Sequence, residues 1–334
     1  MRAVSHPHFA TESIGHAQII ERTGPYGTAD NIRFLKAGKT SRMIVMENRP
    51  MRQLIPAGST EKFATVRGHQ VRYLTAGYGP PLLLLHGLMG FSFSFSENLH
   101  ELSQHATVYA PDLLNTGYSD RTKIDATLMG VAQQVLEFMD AVGIAKAGLL
   151  GSSHGGSVAM AVAVRAPQRV SLLILVSPTN PWSETGRLGV TIFSTRMGSS
   201  LAPLIRFLPR AATDLFLKRM YHDCSRILPG TVQEYDKPMK IPGTTQYLVQ
   251  VAKSWYKDFA DLKIAMQTSG DIPKLLLWGT GDPVVSLSSA RKMLEHLSNT
   301  ELVTLDAGHL PYEELPKEFN RAVIDFLLRF SPSR

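Results

Sequence analysis

The octapeptide Leu149-Leu150-Gly151-Ser152-Ser153-His154-Gly155-Gly156 fits the pattern G-x-S-x-G with Ser153 at its centre. The spacing has a mechanical cause. A serine exposed at the apex of a tight strand-to-helix turn needs small neighbours two positions away, and Gly151 and Gly155 meet that need. Ser152 is a poorer apex, because the same template centred on it needs a glycine where Leu150 stands. A serine hydroxyl is a weak nucleophile, so it requires a base beside it and an acid to orient that base. Of the 11 histidines, His309 is singled out as the base. It ends Asp306-Ala307-Gly308-His309, directly after the last strand-like run. Asp282, in Gly281-Asp282-Pro283, follows another such run and is the candidate acid. Taken alone, Asp-Pro is also a turn or helix-start signal. Asp306 competes for the role but lies too near His309 along the chain to reach its ring well. The chain order Ser153, Asp282, His309 is the Ser…Asp…His order of such sites.

Acyl chemistry at a serine also needs donors for the developing oxyanion. The backbone N–H of His154, next after the serine, is one candidate. The other is the N–H of Leu88, with Met89 second, in the loop after His86-Gly87. His86 is expected to brace that loop by hydrogen bonding, and Gly87, Gly151 and Gly155 to let the segments approach. The His154 ring is expected to pack at the helix start. The segment Pro111-Asp112-Leu113-Leu114-Asn115-Thr116-Gly117-Tyr118-Ser119-Asp120 reads as a structural loop forming one wall of the site. Glu314 reads as a first-turn acid that favours a helix dipole.

These residues need a rigid frame, and the pattern supplies one. Residues 63–67 and 70–74 alternate around Gly68-His69, which predicts a β-hairpin. Apolar runs at Leu82–Leu85, Thr107–Ala110, Ala147–Leu150, Leu172–Val176, Lys274–Trp278 and Glu301–Leu305 suit strands buried on both faces of a parallel sheet. Between them, Thr127–Val142, Val158–Val164 and Phe319–Phe330 carry helical periodicity. Alternating strands and helices predict an α/β fold with a mostly parallel central sheet flanked by helices. Between Leu172–Val176 and Lys274–Trp278 the strand rhythm stops and helical patterns take over. Residues 182–268 therefore read as an inserted helical cap or lid. The core is expected over 61–181 and 269–334. Residues 1–60, rich in Gly and Pro, read as an irregular N-terminal extension.

Bulk properties exclude several classes. The chain has 334 residues, 44% of them hydrophobic and 19% charged, enough for a sizeable core. No stretch approaches the roughly 18 consecutive apolar residues of a membrane span. The N-terminus lacks the apolar core of a secretory signal, and a lone Cys224 cannot form an intramolecular disulfide. Both features predict a cytoplasmic protein. Cys224 is expected to be a small buried or half-buried residue. The formal net charge is +7, and the basic excess falls in 1–60 and 182–268. No Lys/Arg block of nucleic-acid type is present, so a solvated basic surface is favoured over nucleic-acid binding.

With these motifs placed, the sequence resembles the α/β-hydrolase fold superfamily, in its esterase/epoxide-hydrolase-like branch with an inserted cap. The resemblance runs from about Glu61 to the C-terminus. It is carried by His86-Gly87-Leu88-Met89-Gly90, the Asp112–Asp120 loop, Gly151–Gly156, Gly281-Asp282-Pro283, and Gly308-His309 with Glu314 and Pro316. It implies the serine, acid and base roles above, with no metal and no organic cofactor. Many relatives have glycine where Asn115 stands, and asparagine tolerates the same left-handed geometry. Epoxide hydrolases and haloalkane dehalogenases use an aspartate where this chain has Ser153, which argues against both chemistries.

The leading expectation is a serine hydrolase acting on a carboxylic ester of a small or medium apolar small-molecule substrate. Apolar residues such as Phe193, Leu204, Phe207 and Phe216 suggest a hydrophobic pocket, although most of them serve to hold the cap together. Alternatives on the same fold are a C–C bond hydrolase, a thioesterase, an amidase or an acyltransferase. A slow-turnover ligand receptor is a different class. Peripheral membrane contact is a further reading, because Arg187, Arg196, Arg206, Arg210, Lys218 and Arg219 are interleaved with apolar residues. A homodimer is left open.

Overall fold

Consecutive leucines Leu82–Leu85 alternate between two hydrophobic layers. Leu83 and Leu85 join one buried cluster, and Leu82 and Leu84 the other. That is the signature of a strand covered on both faces. The computed structural model describes residues 10–14, 17–21, 32–37, 40–45, 51–183, 187–265 and 271–330. The chain divides into two units, Met1–Met51 and Arg52–Arg334.

In the first unit, β1 (Ala10–Ile14) pairs antiparallel with β2 (Ala17–Glu21), and β3 (Ile32–Ala37) with β4 (Thr40–Val45). This corrects the expectation that residues 1–60 are irregular. Ile32-Arg33-Phe34-Leu35 and Met43-Ile44-Val45 are rich in residues that favour strands. The many glycines and prolines around them masked these short runs.

The second unit contains one eight-stranded sheet. Its strands are β5 (Thr60–Val66), β6 (His69–Ala76), β7 (Pro81–Leu85), β8 (Thr107–Pro111), β9 (Ala147–Ser152), β10 (Val170–Val176), β11 (Lys274–Gly279) and β12 (Thr300–Leu305). The strand order is β12-β11-β10-β9-β7-β8-β6-β5. All neighbours from β12 to β8 are parallel, and β8/β6 and β6/β5 are antiparallel. The expected hairpin forms, but its turn is Arg67-Gly68, with φ of 52° and 80°. Two consecutive positive φ values match the twist of the flanking strands.

Helices cover both faces. On one lie α2 (Leu128–Ala141), α3 (His154–Arg165) and α9 (Leu287–Leu294), whose Val131, Val158 and Met293 join the Leu83/Leu85 cluster. On the other lie α1 (Leu99–Leu102) and α11 (Pro316–Phe330), whose Leu99, Phe319 and Phe326 join the Leu82/Leu84 cluster. Each fully buried leucine of β7 contributes about 2 kcal/mol. Thr127 caps α2 by accepting from the Gly130 amide. Between β10 and β11 the described regular elements are all helical, including α4 (Arg187–Ser194), α5 (Arg196–Leu201), α6 (Arg210–Met220), α7 (Thr231–Met239) and α8 (Thr244–Ala265). The short α10 (Pro311–Glu314) precedes α11. Cys224 is exposed, contrary to expectation. It begins a 3₁₀ turn after α6, and its Sγ reaches only the Lys218 carbonyl at 3.3 Å.

Candidate active site

Ser153 sits at the junction of β9 and α3 with φ 52° and ψ −121°. A non-glycine residue held there is strained, so the surroundings must hold it. They do so through the backbone. The Ser153 amide donates to Val176 O (2.9 Å), and its carbonyl accepts from the amides of Gly156 (3.0 Å) and Thr179 (3.1 Å). The flanking glycines leave no alternative. A Cβ on Gly155 would lie 2.2 Å from Leu85 O, and one on Gly151 would lie 2.3 Å from Gly155 O. Gly87 also approaches closely, its absent Cβ falling 3.1 Å from the Ser153 Cβ.

The residues singled out by spacing meet here. Ser153 Oγ lies 2.9 Å from His309 Nε2, and His309 Nδ1 lies 2.9 Å from Asp282 Oδ2. Asp282 is held in turn, its Oδ1 accepting from the amides of Val284 (2.8 Å) and Val285 (2.9 Å). The carboxylate thus caps the following turn and faces the imidazole at once. The rivals point elsewhere. Ser152 donates to the Tyr312 hydroxyl at 3.3 Å. Asp306 is 78% exposed and faces His222 at 3.8 Å.

The loop after β7 closes one side. Met89 has φ 67°, and Leu88, Met89 and His154 all line the cavity above Ser153. His86 Nε2 accepts from the Leu113 amide (3.2 Å), which leaves the proton on Nδ1, donated to Gly87 O at 2.9 Å. Burial lowers the His86 pKa and keeps the ring neutral. Behind it, Asp112 accepts from the amides of Ser92 and Tyr118 (both 2.8 Å) and from buried Arg72 (3.1 Å). Asn115 takes the left-handed geometry expected of it, with φ 70°. The His154 ring stacks on Trp255 at 6.2 Å. Burial, and then the neighbouring His86, push its pKa down to about 4.

The cavity has a volume of about 460 Å³ and is lined mainly by apolar side chains, among them Leu88, Phe193, Phe216, Leu217, Met220 and Trp255. Its polar edge includes Ser94 and Tyr235, whose hydroxyls are 2.8 Å apart. Behind them lies a buried charged cluster that sequence reasoning missed. Glu313 pairs with Arg52 and accepts from the hydroxyls of Tyr221 (2.6 Å) and Tyr235. Arg52 also donates to Ser96 Oγ (2.6 Å) and to the carbonyls of Phe93 (2.7 Å) and Ser94 (2.8 Å). Burial first, and then the Glu313 charge, hold both phenols well above their usual pKa, so they remain donors. Residues so far apart in the chain leave no sequence signal of this kind. Among the described residues, no group of three or more His, Cys, Asp or Glu is placed to hold a metal ion.

Comparison with known proteins agrees with this architecture. The family model for the alpha/beta hydrolase fold matches residues 80–316. An uncharacterized protein of Mycobacterium tuberculosis is 28% identical over 293 residues, spanning 84% of this chain and 83% of its own. The dihydrolipoyllysine-residue acetyltransferase component of the acetoin cleaving system of Cupriavidus necator is 30% identical over 269 residues, spanning 79% and 68% respectively. Among solved structures, a point mutant of the meta-cleavage product hydrolase CumD matches with a TM-score of 0.68 at 23% identity. That match covers 80% of this chain and 98% of the other, and it is a likeness of fold.

Proposed function

This chain belongs to the alpha/beta hydrolase fold family, and on that premise we propose that it is a serine hydrolase cleaving a carboxylic ester of a small or medium apolar substrate. The observation that carries the reading is the pair of 2.9 Å contacts joining Ser153, His309 and Asp282 at the base of an apolar cavity. Ser153 Oγ attacks the acyl carbon while His309 Nε2 takes its proton. Asp282 holds His309 in the tautomer whose Nε2 is free to accept. The amides of Leu88 and His154 receive the oxyanion, and His86 with Gly87 keeps the first of them in place. His309 returns the proton to the leaving alcohol, and the sequence repeats with water on the acyl-enzyme. The helices between β10 and β11 serve as the cap that sizes the pocket. A cytoplasmic location fits a single, unpaired Cys224.

The test is hydrolysis of p-nitrophenyl esters of increasing acyl length, with Ser153→Ala as control. Activity that disappears in the variant, with a preferred chain length, supports the reading. A folded protein that hydrolyses none of the series would overturn a general esterase.

One relative favours a second reading. The Cupriavidus protein is named for acetyl transfer, and an acyl-enzyme here could pass its acyl group to an alcohol or thiol instead of water. Adding such an acceptor to the ester assay and measuring transfer against hydrolysis products separates the two.

A further inference from the structure

Eight of the fifteen exposed large hydrophobic side chains among the described residues lie between residues 192 and 216. The rest are scattered over the chain, and single exposed apolar residues need no explanation. A concentration of this kind does. Met197 and Leu201 sit one turn apart on α5, and Leu204 and Phe207 sit one turn apart in the 3₁₀ segment Ala202–Phe207 that follows. Phe207 is 68% exposed and Met197 75%.

The same segment is basic. Between residues 190 and 220 stand Arg196, Arg206, Arg210, Lys218 and Arg219, against the single acid Asp214. Asp214 is taken up by Lys218 at 2.7 Å. The Arg206 guanidinium lies 4.5 Å from the centre of the Phe207 ring, so charge and apolar surface share one spot. The patch is also continuous with the cavity. Leu208 and Phe216 line the cavity and are themselves exposed, which places its mouth at this surface.

We propose that this face is a docking surface for a bilayer bearing anionic headgroups. Apolar side chains enter the headgroup boundary, and Arg196, Arg206 and Arg219 meet the lipid phosphates, while Lys218 pairs with Asp214 and Arg210 lies 3.7 Å from Asp236. Charge decides against a second copy as the occupant, because a two-fold contact would set the same cations against one another. Docking in this orientation turns the cavity mouth toward the lipid, so an acyl substrate passes from bilayer to Ser153 without crossing water. That delivery step rests on the proposed hydrolase reading. The docking itself does not.

The test is co-sedimentation of the full chain with phosphatidylcholine vesicles, with and without phosphatidylglycerol. The protein is expected to pellet with the anionic vesicles and to be released as salt rises. Contrary to the expectation that they help form the pocket, Leu204 and Phe207 are exposed and lie outside the cavity lining, so the double variant Leu204→Asp/Phe207→Asp alters the patch alone. It should partition at least tenfold more weakly while keeping its thermal midpoint and its hydrolysis of a short soluble ester. The charge variant Arg196→Glu/Arg219→Glu should bind about tenfold more weakly at low salt. Wild-type protein left in the supernatant with both vesicle types overturns the proposal, as does a double variant that pellets like wild type. A wild-type dimer that the double variant converts to monomer, without vesicle binding, assigns the face to a second copy and also overturns it. Vesicle binding is read without turnover, so an inactive protein that still docks would refute the esterase reading alone.

Discussion

The Glu314 carboxylate accepts a hydrogen bond from the Gly308 amide at 2.5 Å. The same carboxylate accepts from the amides of His222 and Asp223, both at 3.1 Å, at the end of α6. The next residue along, His309, donates its own amide to Met220 O at 2.7 Å. A Cβ on Gly308 would fall 2.4 Å from that same carbonyl. The loop that carries His309 and the end of α6 are therefore fastened by one buried side chain and one backbone hydrogen bond. Any displacement of α6 is felt at the imidazole.

Glu314→Gln should consequently damage catalysis more than binding. An amide side chain has one acceptor oxygen where the carboxylate has two, so at least one of the three N–H groups loses its partner, at a cost of about 1 kcal/mol, or up to about 3 kcal/mol where that group is the buried Gly308 amide. The expected result is a kcat reduced at least tenfold with KM changed much less, because His309, the proposed base, is misplaced while the apolar cavity persists. Equal kcat in variant and wild type would show that the clamp is structural only.

This clamp marks where sequence reading stops. The apolar runs of β7 to β12 identify themselves because burial on both faces demands continuous hydrophobicity. Ser153, Asp282 and His309 stand out because a turn, a glycine or a strand end flags each of them. Glu314 was read as a helix-dipole acid, a role any first-turn acid can fill. Its bonds to His222 and Asp223 depend on where a distant helix ends, and no local pattern encodes that. Arg52 and Glu313 were invisible for the same reason. The short strands of the first unit were hidden by the glycines and prolines between them.

The Arg52–Glu313 pair makes a stability prediction. Both side chains are 1% exposed, so removing either leaves an uncompensated buried charge. Burial alone lowers the Arg52 pKa, but Glu313 together with Tyr235 and Tyr221 more than offsets this and leaves it raised. Glu313→Gln or Arg52→Met should each destabilise the fold by about 3–5 kcal/mol. The double variant should cost less than the sum of the two, because no charge is then orphaned. Urea midpoints of the four proteins give the coupling. Strict additivity would mean that the pair is not a unit.

Acid should weaken the fold partly through His154. Its folded pKa is lowered from 6.5 to about 4 by burial, so the unfolded chain binds the proton more readily. Stability from this source is fully present above pH 6.5 and is lost as pH falls toward about 4. Its size is about 3 kcal/mol. His86, lowered in the same direction by burial, adds to the trend. His154→Phe keeps a ring against Trp255 and removes the titration. Its loss of stability between neutral pH and pH 4.5 should be visibly smaller than that of wild type in urea melts. An unchanged acid slope would show that other groups carry the effect.

Asp282→Asn tests the proposed proton path at its most specific point. Two backbone amides, from Val284 and Val285, need an oxygen at the Oδ1 position. They therefore fix the orientation of an asparagine placed there and turn its NH₂ toward His309 Nδ1. A donor facing Nδ1 forces the imidazole proton onto Nε2, the nitrogen 2.9 Å from Ser153 Oγ. With Nε2 protonated, His309 can no longer take the serine proton. The fold should change little, because size and cap are preserved. Ester hydrolysis should fall by about 10⁴ in kcat, with the loss expressed in both acylation and turnover. A variant retaining a tenth of wild-type activity would mean that Asp282 orients nothing, and Asp282 would then be a turn cap alone.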